Sequence, residues 1–159
     1  MLKVTKHGVL PLTYVGMSAS AQDREYNKDL ASFRAALNED LRAERKTVVI
    51  LDLRRSSVLT TSQRWMTGVW MKEVTPLFER ATFGTVFIVE SALARGMLSA
   101  LLWVQPKGTP YTIVANLDGA VLWAISCMEE ARVNLSAEPR ETLRTVLTDE
   151  LDRLYREAA

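Results

Sequence analysis

Cysteine and histidine each occur once, neither sign of charge is in excess, and no apolar run is long. These scarcities exclude several classes of protein before any motif is read. A lone cysteine, Cys127, cannot close an internal disulfide, and with His7 as the single histidine there is no basis for a zinc site of the usual His/Cys type. The 20 Lys and Arg residues balance 19 Asp and Glu to a net charge of +1, without the basic excess that general nucleic-acid binding requires. Uncharged stretches such as Gly96 to Pro106 and Gly119 to Met128 are about half of the roughly 20 residues a membrane-spanning helix needs. The seven glycines stand singly and form neither a P-loop nor a dinucleotide fingerprint. No metal and no cofactor is expected.

What is present is an ordinary globular composition, 48% apolar over 159 residues, which suits one domain. Lys3 and Lys6 ahead of Val9 to Met17 and Ala19-Ser20-Ala21 have the outline of a secretory leader. Pro11, Thr13, Tyr14 and Gly16 leave that core weakly apolar and rich in strand formers, so a cytoplasmic location is expected instead.

Periodicity supplies the element order. Leu2 to Thr5 and Val9 to Val15 flank a His7-Gly8 turn and read as an antiparallel hairpin. Tyr26, Leu30, Phe33, Leu37 and Leu41 mark one face of a helix from about Asp23 to Glu44. Thr47 to Leu53 is too continuously apolar for a half-exposed strand and is expected at the centre of the sheet. Helical period returns over Ser62 to Arg80, where Pro76 is expected to bend or shorten the helix. Strand and helix then alternate: Thr85 to Glu90, Ala92 to Val104, Tyr111 to Ala115 and Leu117 to Ala131. A last helix is capped by Ser136, with Leu143, Val146, Leu147, Leu151 and Leu154 as its apolar stripe. The expectation is a single α/β domain: a mixed, mostly parallel sheet of about five strands with an N-terminal antiparallel hairpin and helices on the sheet. Residues 1–131 make this unit, and residues 132–159 add a C-terminal helix packed on it.

Three stretches resemble the STAS/SEC14 group of small α/β domains, related to anti-sigma factor antagonists. They are residues 47–53 (TVVILDL), 89–96 (VESALARG) and 117–123 (LDGAVLW), the last with Ala120 and Trp123 following acidic Asp118. The resemblance covers about residues 1–131 and implies a protein with no active site of its own, acting through contacts. In the antagonist branch a Ser or Thr in an Asp-Ser-Ser-Gly-like stretch, at the start of the helix after the central strand, is phosphorylated by a partner kinase. The corresponding residues here are Thr60, Thr61, Ser62 and Gln63, which keep the hydroxyls and lack the Asp and the Gly. A phosphate there would meet the free N–H groups and partial positive charge of a helix N-terminus, and the same hydroxyls also serve as ordinary helix caps.

Two other groups of residues stand out. Arg54, Arg55 and Arg95 fall at the carboxyl edge of the sheet, where open α/β sheets bind ligands, and form a candidate anion contact or a set of ordinary surface ion pairs. The helix from Ala92 to Val104 is apolar nearly all round: Leu93, Met97, Ala100, Leu101 and Val104 form one stripe, and Leu98, Leu102 and Trp103 fill much of the rest. Trp65, Trp70 and Met71 on the preceding helix extend this surface. Either other elements cover it or it binds something. Met97, Leu98, Leu102 and Trp103, with these three, are therefore the candidate interface or apolar pocket. The expected activity is a non-catalytic protein-interaction or regulatory module, a homo-oligomer or part of a larger assembly; the alternative is a carrier of a small apolar or lipid ligand, with the arginines at its head group. His7 and Cys127 lack the partners of a nucleophilic site and read as a turn residue and a buried thiol.

Overall fold

The structure is a computed structural model and describes residues 2–18, 22–56, 59–103, 108–135 and 139–157. Five strands form one mixed sheet in the order of the chain. β1 (Leu2–Lys6) and β2 (Leu12–Ser18) are the antiparallel hairpin, with Val4 opposite Val15. β3 (Thr47–Arg55), β4 (Thr82–Ile88) and β5 (Tyr111–Val114) extend β2 in parallel. The apolar run predicted to be central lies in the middle strand, and Val48, Val49 and Ile50 are fully buried.

Each step between parallel strands moves in the same direction. Right-handed crossovers therefore place α1 (Asp23–Arg42), α2 (Thr61–Ala81) and α3 (Ala92–Trp103) over one face of the sheet. α4 (Leu117–Glu130) follows the last strand and turns to the other face, where α5 (Arg140–Glu157) packs on it. Strand alternation divides the core accordingly. Leu12, Tyr14, Val48, Ile50, Val86 and Ile88 meet α4, and Leu143, Leu147 and Leu151 of α5 close that side. Val15, Val49 and Leu51 meet Phe33 and Leu37 of α1 and Val74 of α2.

The boundaries that differ from expectation have local causes. β2 begins at Leu12, not Val9, because His7 organises residues 7–11 as a wider turn: its Nδ1 accepts from the N–H groups of Val9 (3.2 Å) and Leu10 (2.9 Å). Pro76 does not end α2, which runs 21 residues through it. Pro76 and Lys72, whose carbonyl loses its partner to the missing N–H, both lie on the exposed side, where water can take over. β4 spans Thr82–Ile88 rather than starting at Thr85, because α2 passes into it without a loop. Gly84, one residue before the expected start, lies inside that strand. A Cβ there would come within 2.7 Å of Trp123 and 2.9 Å of the Cys127 sulfur, so glycine is what lets α4 approach so closely. The expected cap Ser136 lies outside the described residues.

Candidate functional site

The carboxyl ends of β3 and β4, with the starts of α2 and α3, bring together most of the residues singled out by sequence. At the start of α2 the cap is Thr60, not Thr61 or Ser62. Its Oγ1 accepts from the Gln63 N–H at 3.1 Å, and the Gln63 side chain accepts from the Thr60 N–H at 3.2 Å, a reciprocal capping box. The signature Thr60-x-x-Gln63 was there to be read. Thr61 and Ser62 are left exposed in the first turn, and the Arg64 guanidinium donates to the Thr61 hydroxyl at 3.2 Å.

All three arginines are engaged within the chain. Asp52, buried on β3, accepts from the Tyr14 hydroxyl at 2.6 Å, from the Arg54 guanidinium at 2.6 Å (Nη2) and 2.9 Å (Nε), and from the Arg54 N–H at 3.1 Å. Arg54 and Arg55 both lie 3.8 Å from the centre of the Tyr155 ring, and Arg55 also donates to the Tyr155 carbonyl at 2.6 Å. Two cations and an aromatic face thus fasten the end of α5 to the end of β3. Arg95 donates to the carbonyls of Val89 (2.9 Å) and Glu90 (2.5 Å). Burial, reinforced by the carboxylate of Asp52, pushes the Tyr14 phenol far above its ordinary pKa. Burial opposes the charge of Arg54, and Asp52 outweighs it, so Arg54 stays protonated. Asp52 has its oxygens filled and no solvent access, which suits a fixed ion pair and not proton transfer. Asp52, Tyr14 and Tyr155 were not anticipated, because only the fold brings positions 14, 52 and 155 together.

The other reactive groups are also tied into structure. With Nδ1 of His7 accepting two backbone N–H bonds, its hydrogen sits on Nε2, 3.2 Å from Glu150 of α5. Burial, with Glu130 nearby, pushes the Cys127 thiol up, opposite to activation. Among the described residues no group of three or more His, Cys, Asp and Glu side chains could hold a metal ion, and no helix is long and apolar enough to cross a membrane.

The apolar candidates divide. Trp70 belongs to the core: its Nε1 donates to the Leu30 carbonyl at 2.9 Å, and its ring packs against Phe33 and Phe78. Leu102 is buried, and Leu98 and Met71 are half-buried, so Leu102 serves folding rather than docking. The side chain of Trp103 lies outside the described residues. Trp65 (71% exposed) and Met97 (60%) face outward, joined by Val69 and by Leu93 (75%). Of the two apolar stripes on α3, that of Leu98 and Leu102 turns inward, and Leu93, Met97 and Ala100 of the other are exposed, while the side chain of Leu101 and Val104 lie outside the described residues. Periodicity shows both stripes and cannot say which the sheet receives.

No protein-family model matches the sequence, and no curated protein does. Among solved structures the chain is similar to an uncharacterized protein of the DUF3478 family with a SpoIIAA-like fold, from Shewanella loihica PV-4. The identity is 10% and the TM-score 0.59, over 78% of this chain and 92% of that one. The likeness is one of fold: five strands with a leading antiparallel hairpin make this a single α/β domain of the SpoIIAA-like kind.

Proposed function

We propose that this chain is a non-catalytic regulatory module that docks a protein partner through the exposed face of α2 around Trp65 and Val69. In this reading Thr61 and Ser62 are the hydroxyls whose phosphorylation switches the contact. The observation that carries it is where the apolar surface lies. Of the six large apolar side chains exposed among the described residues, four (Trp65, Val69, Leu93, Met97) lie on α2 and α3. Large aromatic and aliphatic anchors dominate interface energetics, and soluble monomers rarely leave them grouped. Thr61 and Ser62 stand one turn before Trp65, so a phosphate there would add about −1.5 to −2 charges beside the docking face. The resemblance to anti-sigma factor antagonists supports the same reading, with the difference that the Asp and Gly of their phosphorylated stretch are replaced here. A lipid-carrier role would use Arg54, Arg55 and Arg95 at a head group; each is occupied within the chain, which favours the interaction reading.

The test compares native chain and Trp65→Asp, purified with their associated proteins from the source cell. Trp65 is exposed, so the variant is expected to fold with an unchanged thermal midpoint and to lose a partner that the native chain retains. Identical sets of associated proteins in both would overturn the docking assignment. Intact-mass spectrometry of the native chain reads the switch, and an unmodified Thr61 and Ser62 under all growth conditions would remove it.

A further inference from the structure

Two of the three helices on the face that α1, α2 and α3 share, α2 and α3, each carry a glycine that the described residues around it do not require. In α2 the order is Trp65, Gly68, Val69, and in α3 it is Leu93, Gly96, Met97. Each time an exposed apolar side chain is followed three residues later by glycine and then directly by a second exposed apolar side chain. Neither glycine has a positive φ, and a Cβ at either would meet no atom within 4 Å. Glycine inside a helix weakens it relative to alanine, and what it permits in exchange is close approach of another backbone. Among the described residues nothing makes that approach at Gly68 or Gly96.

We propose that the outer face of α3 is a homodimer interface, in which Leu93 and Met97 of one copy pack into the notch left by Ala92, Gly96 and Ala100 on the other. The inference rests on the reading of these helices as contact surfaces and names the occupant of one of them. All five residues are uncharged, and Arg95, the single charged residue of α3, turns back onto the carbonyls of Val89 and Glu90. A twofold axis sets a patch against itself, which suits an uncharged ridge lying beside its own complementary notch. The corresponding face of α2 carries exposed Arg64 and Lys72, so self-pairing there would oppose like charges. A surface built for anionic lipid would carry its cations on the α3 stripe, which has none. Two 12-residue helices bury less than the ~1,600 Å² of a standard interface, so the dimer forms in a concentration-dependent way.

Sedimentation equilibrium of the full chain over a concentration series tests this, with circular dichroism and thermal midpoints confirming that each variant folds. The native chain is expected to pass from 17.9 kDa to twice that mass. Gly96→Leu and Leu93→Asp should each weaken the dimer about thirtyfold or more, while Trp65→Asp dimerises like the native chain. Gly96→Cys should cross-link to itself on mild oxidation, and the native chain, with Cys127 buried, should not. A monomer at every concentration overturns the proposal, as does a dimer indifferent to both α3 substitutions. A monomer that sediments with phosphatidylserine vesicles and loses this in Leu93→Asp overturns it in favour of a lipid surface. Partner loss in Trp65→Asp is read separately, so failure of the dimer and failure of the docking reading are told apart.

Discussion

α4 and α3 are both apolar around most of their circumference and meet opposite fates. Ala120, Val121, Ala124, Ile125 and Met128 of α4 are fully buried, because the sheet takes one side and Leu143, Leu147 and Leu151 of α5 take another. α3 packs on β5, where Leu102 is buried, while Leu93 and Met97 face outward. The glycines follow the same division, since Gly84 under α4 has no room for a Cβ and a Cβ on Gly96 of α3 would meet nothing within 4 Å among the described residues. Apolar composition therefore marks a surface that wants cover. Whether the chain supplies that cover depends on an element arriving later, and α5 arrives on one face.

The sharpest way to break this contrast is truncation on both sides. Ile125→Ala should cost about 2–5 kcal/mol, the lost transfer energy plus a cavity, whereas Leu93→Ala should stay within about 0.5 kcal/mol in the monomer. Urea titrations of the two variants decide it, and equal losses would mean that α3 is packed after all. Next, Gly84→Ala should destabilise by about 1–3 kcal/mol through overpacking against Trp123 and Cys127.

The sealed face should also reveal itself at alkaline pH. An unfolded tyrosine loses its proton near pH 10, whereas Tyr14, buried and bonded to Asp52, keeps it in the fold. Lys6 shifts in the same direction: burial opposes its charge, but Asp40 and Glu39 outweigh it. Above about pH 10 the unfolded chain then binds fewer protons than the folded one, and stability falls, by up to about 1.4 kcal/mol per pH unit for Tyr14. Chemical denaturation between about pH 9 and pH 11 (about one unit either side of the tyrosine value) should show a shallower fall in Tyr14→Phe; an unchanged slope would place the titration elsewhere. The smallest effect has the opposite sign. Gly68→Ala on α2 should raise monomer stability by about 0.5–1 kcal/mol, because the helix gains and no neighbour is displaced. A loss there would show that Gly68 already meets a neighbour.

Much of the architecture was legible because it rests on local pattern. Val48 to Leu51 reads as a doubly covered strand, and Tyr26, Leu30, Phe33 and Leu37 read as the packed face of α1. Boundaries slipped where one residue type served an unexpected purpose. β4 begins three residues before Thr85, with Gly84 inside it admitting α4; Pro76 was expected to bend or shorten α2, and the helix runs on through it to Ala81. The site was less legible. Thr60 and Gln63 announce a capping box over three residues, but Arg54, Arg55 and Arg95 give no hint that Asp52, Tyr155 and two carbonyls already hold them.

The sequence by itself determined the alternation of strand and helix, the central strand and the two apolar stripes of α3, because side-chain period depends only on neighbours along the chain. The tertiary structure alone decided which stripe turns inward, that Trp70 is core while Trp65 is surface, and that Tyr155 closes over the arginines at the end of β3. Those outcomes depend on elements up to 100 residues apart arriving at the same place, and no local period encodes such a meeting.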